Sequence, residues 1–274
     1  VAAELATLRQ LLLKQQAAVL VRVHAVQGSG PREVGAWMAV GGAALIGTIG
    51  GGRLEFDAIA QAQALLLQPA AEPMLLQRYP LGPSLGQCCG GVVTLSFESL
   101  GASDLVGLDA RLQPAQPALP VALFGGGHVG RAIVRQLGAL PASVQWFDSR
   151  DEIFPEDLPP SVRAEHSDPV QAAVRDVAPG ARVLIMSFSH AEDLDVLAAC
   201  LLRQREKGDL AFIGLIGSKS KWAVFRHRLE ARGFTAQELA AVTCPIGLPG
   251  ITGKQPEVIA LAVVAQLMQV WPAG

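Results

Sequence analysis

The chain has 274 residues, enough for one large domain or two of ordinary size. Half of the residues are hydrophobic and 17% are charged, which excludes a disordered chain. The formal charge of −2, from 22 basic and 24 acidic residues, argues against a dedicated nucleic-acid binder, which needs a basic surface to displace counterions.

In chain order, residues 2–18 place Leu5, Leu8, Leu12 and Leu13 on one side of a predicted helix. A strand over 19–26 and the turn-rich GSGPREVG (28–35) follow. Residues 36–40 and 43–49 read as a hairpin about Gly41-Gly42. Gly50, Gly51 and Gly52 then open a helix over about 53–67. Strands over 74–79 and 92–98 flank the loop LGPSLGQCCGG (81–91). Strands first, with helices on one side, make this an α+β module. Residues 99–119 carry Pro114 and Pro117, with Pro120 just beyond, and read as a linker that joins no regular element. The expected boundary lies near residue 110, giving units 1–110 and 111–274.

Beyond the linker, short apolar strands (121–124, 144–148, 183–188, 211–216) alternate with helices (129–140, 168–177, 194–205, 219–232), and a last helix covers 256–270. That rhythm predicts a Rossmann-like, doubly wound parallel sheet, so the fold class is α/β with an α+β module ahead of it. The strand VALF runs into GGGHVG, where Gly125, Gly127 and Gly130 satisfy GxGxxG and open a helix whose N–H groups face outward. Asp148 ends the next strand, where a ribose-binding acid would sit. His128 reads equally as a phosphate donor or as part of the helix cap.

Three further segments carry chemistry. In GQCCGG, Cys88 and Cys89 are flanked by glycines; a bridge between adjacent cysteines is strained, so the pair reads as a soft ligand or nucleophile, or as small residues in a crowded turn. TIGGGRLE (48–55) sets Gly50, Gly51, Gly52 and Arg53 as a second anion cradle, with Arg32 nearby to add charge. At the carboxyl edges of later strands stand Ser189, His190 and Asp193, then Gly217, Ser218 and Lys219, each a ligand contact or an ordinary helix start. Cys200 reads as core and Cys244 as ambiguous. Four cysteines without a CxxC are too few to staple the fold, no zinc pattern is present, and a reducing cytoplasm is expected. No apolar run is long enough to span a bilayer, and no signal peptide is expected.

GSGPREVGAWMAV, GTIGGGRLE, LGQCCGG, FGGGHVG with a later FDSR, SFSH, IGSKSK and CPIGLPGITGKQPE occur in this order. Together they resemble the XdhC/CoxI family of xanthine dehydrogenase accessory proteins over almost the whole chain. The resemblance implies an N-terminal XdhC/CoxI module and a C-terminal Rossmann domain. It implies a cytoplasmic chaperone of purine catabolism that binds the molybdenum cofactor (molybdopterin), shields it and supports exchange of a molybdenum oxygen for sulfur from a cysteine desulfurase. The loaded cofactor then passes to the molybdenum subunit of xanthine dehydrogenase. The family's cofactor-binding cysteine falls on Cys88 or Cys89, with Cys88 favoured slightly as molybdenum ligand. Cofactor biosynthesis proteins are further implied partners, and a homodimer is the implied assembly. A carrier needs no turnover of its own. The alternative is an NAD(P)-dependent oxidoreductase holding its nucleotide on the GGGHVG loop.

Overall fold

The computed structural model describes residues 2–14, 16–68, 73–81, 91–112 and 118–270. The chain forms two compact units, Val1–Gln116 and Pro117–Gly274.

The first unit contains α1 (Ala2–Leu13), β1 (Ala18–Gln27), β2 (Trp37–Gly41), β3 (Ala44–Gly47), α2 (Gly52–Leu67), β4 (Met74–Pro80), β5 (Val92–Leu100) and α3 (Leu108–Leu112). Its five strands pair antiparallel in the order β3-β2-β1-β5-β4. Alternation along β1 explains the layering, because successive side chains leave opposite faces of a strand. Val19, Val21 and Val23 pack with Leu54, Ala58 and Ala62 of α2. Ala18 and Leu20 pack on the other side with Leu8 and Leu12 of α1 and Leu108 and Leu112 of α3. A helix of 12 residues is marginal alone. Fully burying Leu8 and Leu12 contributes about 1.5–3 kcal/mol each and holds it in place. Helices therefore cover both faces. The first helix stops at Leu13 rather than at 18, because the chain from Ala18 is taken into the β1–β5 ladder. Residues 102–105 and α3 supply ordered structure where the proline-bearing linker was expected.

The second unit contains β6 (Leu119–Phe124), α4 (His128–Leu137), β7 (Ala142–Asp148), β8 (Val162–His166), β9 (Arg182–Ile185), α5 (His190–Lys207), β10 (Phe212–Leu215), α6 (Lys219–Ala231), α7 (Ala236–Ala240), β11 (Val242–Thr243) and α8 (Pro256–Gln269). Six parallel strands stand in the order β11-β10-β9-β6-β7-β8. This is the doubly wound order, so the Rossmann-like expectation is borne out. Leu119, Val121, Leu123 and Trp146 face α4 and α8, while Ala122, Phe124 and Phe147 face α5 and α6. The order reverses between β6 and β9, the topological switch point at whose carboxyl ends open α/β sheets generally bind ligands.

Three elements depart from expectation. Pro120 lies inside β6; pairing with β9 begins only at Val121, so the missing N–H falls outside that ladder. Residues 170–176 form a tight 3-10 turn rather than an α-helix. Strand β8, with Arg163 and Glu165 in its short run, is an edge strand whose partner β7 decides its conformation.

Candidate functional site

In the first unit, two turns and Gly91 converge at one end of the sheet. A side chain at Gly50 would meet Pro31 Cβ at 2.6 Å and Arg32 Cγ at 3.2 Å, so the TIGGG turn lies directly on the GSGPRE loop. A side chain at Gly91 would come within 2.1 Å of the Ser29 carbonyl, so that same loop also abuts Gly91. The Leu81 N–H donates to the Gly91 carbonyl at 2.7 Å. Cys88 and Cys89 themselves lie outside the described residues.

The cradle formed by Gly50, Gly51 and Gly52 has an internal occupant. All three glycines have positive φ, at 119°, 73° and 67°. The Glu55 carboxylate accepts from the Thr48 hydroxyl, from the Ile49 N–H at 2.9 Å and from the Gly51 N–H at 3.1 Å. Burial works to raise this carboxyl, but the Thr48 hydroxyl and the backbone donors overcome it and hold it below its ordinary range. Arg53 turns to its own helix, pairing with Asp57 at 2.8 Å and lying over the Phe56 ring. Arg32 pairs with its neighbour Glu33 at 3.0 Å.

In the second unit, the glycine fingerprint works through close approach. A side chain at Gly125 would stand 2.0 Å from the Met186 carbonyl, and one at Gly130 2.1 Å from the Gly125 carbonyl. Strand, turn and helix can meet only without them. The Trp146 indole N–H donates to the Gly125 carbonyl at 2.9 Å and fixes the turn from beneath. Gly127 differs: a side chain there would meet nothing within 4 Å. Gly127 is the N-cap of α4 and supplies no side-chain cap, so the exposed helix start at Gly127 and His128 keeps outward N–H donors.

Asp148 is buried just behind this turn. Its carboxylate accepts from the Gly126 N–H at 2.6 Å and from the Arg150 N–H, Nε and Nη2 at 2.9 Å each. Burial raises the carboxyl, and the Arg150 hydrogen bond with the two backbone donors more than reverses this, leaving it below its usual range. Four bonds use most of the acceptor capacity of a carboxylate. The Arg150 guanidinium also stacks over the exposed Phe188 ring at 4.4 Å.

The later strand edges resolve differently for each residue. Ser189 caps α5, its hydroxyl accepting from the Glu192 N–H at 3.2 Å, and Ser218 caps α6, accepting from the Lys221 N–H at 3.1 Å. His190 is exposed and sets its ring edge-on to Phe225. Lys219 faces solvent. The cation that turns inward is Lys221, which sequence reasoning missed: its stem lies over Gly217, and its ammonium meets Asp193 at 2.6 Å and donates to the Ile216 carbonyl at 2.8 Å. Asp193 also accepts from the Ser187 N–H at 2.7 Å, so this buried pair ties the starts of α5 and α6 to the end of β9. Cys244 is half-buried nearby; burial pushes its thiol up, with Lys221 opposing and Asp193 adding to the rise. Cys200 is fully buried and its thiol is pushed up to about 12 by burial, as suits an unreactive core residue. Among the described residues no cluster of three metal-ligating side chains occurs, and no helix is long and apolar enough to cross a membrane.

Glu55, Arg150 and Lys221 are thus the residues that motif reading left out. The first two had a signal: an acid in the first turn after the glycines, and an arginine two positions beyond a buried acid.

Comparison with known proteins gives consistent matches. Residues 121–267 match a family model described as the XdhC Rossmann domain, and residues 11–80 match that of the XdhC and CoxI family. The uncharacterized protein YqeB of Escherichia coli (strain K12) is 28% identical over 250 residues, covering 89% of this chain. The aligned part makes up 42% of YqeB, so the chain spans less than half of that relative. A crystal structure from Bacillus halodurans, described as a xanthine dehydrogenase, aligns with a TM-score of 0.75 at 20% identity, covering 97% of this chain and 95% of that one. At that identity the likeness bears on the fold.

Proposed function

Since this chain belongs to the XdhC family, we propose that it is an accessory protein of xanthine dehydrogenase and that it carries the molybdenum cofactor to that enzyme. The observation that carries the reading is the convergence of the GSGPRE loop, the TIGGG turn and Gly91 at one end of the first sheet. Two motifs apart in sequence meet there beside Gly91, and the sequence between Leu81 and Gly91 bears Cys88 and Cys89.

Within the second unit, one place suits an anion such as a phosphate. The start of α4 offers N–H donors, open space above Gly127 and the positive end of a helix dipole. The turn at Gly50–Gly52 fits less well, because Glu55 already takes its donors. In the first unit a thiolate of Cys88 or Cys89 is a suited soft ligand for molybdenum, and neither lies among the described residues. Bound cofactor would supply the molybdenum centre whose oxygen is exchanged for sulfur. The chain's own part is to hold and orient: Trp146 and Asp148 keep the glycine turn rigid from below, and His128 stands at its rim as a further donor.

A cysteine desulfurase, cofactor biosynthesis proteins and the molybdenum subunit of xanthine dehydrogenase are the partners this role requires, in the cytoplasm, with a homodimer as the working assembly. The oxidoreductase alternative has less support, since the acid that would take a ribose hydroxyl is bound to Arg150 and Gly126.

The test is anaerobic purification from cells that make molybdopterin, followed by molybdenum and pterin analysis. The wild-type chain should retain both. Replacing Cys88 and Cys89 together by Ala should lower both at least tenfold at unchanged thermal midpoint. Undiminished content in the double variant would remove the proposed ligand.

A further inference from the structure

The segment that leaves β7 turns back over the glycine turn. Residues 151–153 form a tight 3-10 turn. A side chain at Gly126 would meet Ile153 Cγ1 at 2.7 Å and Cγ2 at 2.8 Å, so Ile153 rests on the turn itself. The Ile153 carbonyl accepts from Arg131 Nη2 at 2.6 Å, which pins the segment to α4.

A second set of contacts runs from the end of β7 to the start of α5. The Ser149 hydroxyl donates to one oxygen of Glu192 at 3.0 Å, and the other oxygen accepts from the Phe188 N–H at 3.2 Å. Phe188 is thereby held where the Arg150 guanidinium stacks on its ring.

These contacts fall where a dinucleotide would need room. In that arrangement the glycine turn and helix start take the phosphates, and the acid ending the next strand takes the ribose hydroxyls. Here Arg150 Nε and Nη2 take one oxygen each of the Asp148 carboxylate, a two-pronged, charge-assisted contact that fills the place of a ribose diol. The guanidinium also covers a face of Phe188, a flat apolar surface of the kind on which a base stacks. Ile153 closes the approach to Gly126. The start of α4 stays outside this arrangement, since a side chain at Gly127 would meet nothing within 4 Å.

We propose that Arg150, Ile153 and Phe188 are the specificity-determining residues of this crevice, excluding a nucleoside from the Asp148 end while leaving the start of α4 open to a phosphate. Occupying a competitor's place gives specificity without any added contact to the accepted ligand. The crevice then admits a phosphate-bearing ligand whose body leaves without setting a ribose on Asp148. The inference concerns the second unit alone and stands or falls independently of the thiols of the first.

The experiment is calorimetric titration of the full chain with NAD, AMP and inorganic pyrophosphate. The wild-type chain should bind neither nucleotide more tightly than pyrophosphate. Arg150→Ala with Phe188→Ala should tighten NAD and AMP at least tenfold and leave pyrophosphate no tighter. Charge alone predicts the reverse, because loss of a cation weakens the binding of every anion. Asp148→Asn added to that pair should abolish the gain, and Ile153→Ala alone should give a smaller one. Each variant's unfolding midpoint checks the fold. If the pair of truncations unfolds the chain, Arg150→Gln keeps the stem, loses the two-pronged contact and should still favour the nucleotides over pyrophosphate. The proposal is overturned if the wild-type chain binds NAD or AMP at least tenfold more tightly than pyrophosphate, if the folded variants gain nothing for either nucleotide, or if the gain survives Asp148→Asn.

Discussion

The glycine-rich turns at 48–55 and 124–130 both lead into helices and both resemble anion cradles in sequence, but the folded chain treats them in opposite ways. In the first, the acid lies on the helix that the turn opens, so Glu55 folds back onto the N–H groups and fills the cradle. In the second, the acid lies on the next strand. Asp148 reaches Gly126 from behind and leaves the helix start at Gly127 clear. A glycine run therefore marks where backbone donors are exposed to an anion, and the position of the nearest acid decides whether that anion is the chain's own.

The largest test of this contrast is within the second turn. Gly125→Ala forces a methyl group to within 2.0 Å of the Met186 carbonyl at a φ of 125°. It should cost about 3–5 kcal/mol in urea unfolding, from overpacking and a conformation that L residues avoid. Gly127→Ala, in open space at an ordinary φ, should cost under about 0.5 kcal/mol. Equal costs would mean that the turn is not wedged between strands as described.

Next is the first turn's internal anion. Glu55→Ala removes the acceptor for Thr48, Ile49 and Gly51 and should destabilise the chain by about 1–3 kcal/mol. If Glu55 were incidental, the unfolding midpoint would not move. The same carboxylates set the acid limb. Glu55 and Asp148 are both held below their ordinary values of 4.5 and 3.8. Each therefore adds stability that is fully present above its ordinary value and is lost as pH falls through the lower folded value. Stability measured between pH 5 and 2 should fall with pH, and Glu55→Gln should flatten part of that slope. A slope unchanged by Glu55→Gln would separate the cradle from the acid response.

The smallest expected effect is a gain. Gly127 has the extended backbone of an N-cap and lacks a capping side chain. Gly127→Asp should stabilise the chain by a few tenths of a kcal/mol, up to about 1, read as a raised thermal midpoint. A loss instead would mean that the space above Gly127 is not open.

Much of the architecture was legible locally. Alternation in 19–26, apolar runs such as VALF, and glycines between strand and helix are set by spacing over a few residues, and the antiparallel first unit and parallel second unit follow from them. Edge strand β8 and the ordered α3 were not legible, because a charged five-residue strand and a five-residue helix are held by what they pack against. Among the functional candidates, the glycines were visible as motifs. Lys221 was not: a serine followed by two lysines, at 219 and 221, reads the same whichever one turns inward. The cap at Ser218 and the cleared space at Gly217 choose the second.

The sequence by itself determined the two kinds of module, the family and the places where backbone approaches backbone, because these depend on residue type and short spacing. Tertiary structure alone decided that one cradle is filled and the other open, that Asp148 is bonded to Arg150, and that Ile153 comes to rest on Gly126. These depend on where side chains distant in the chain come to rest, and hydrogen bonds of about 3 Å and a burial that shuts out water are properties of the assembled fold, not of any stretch of it.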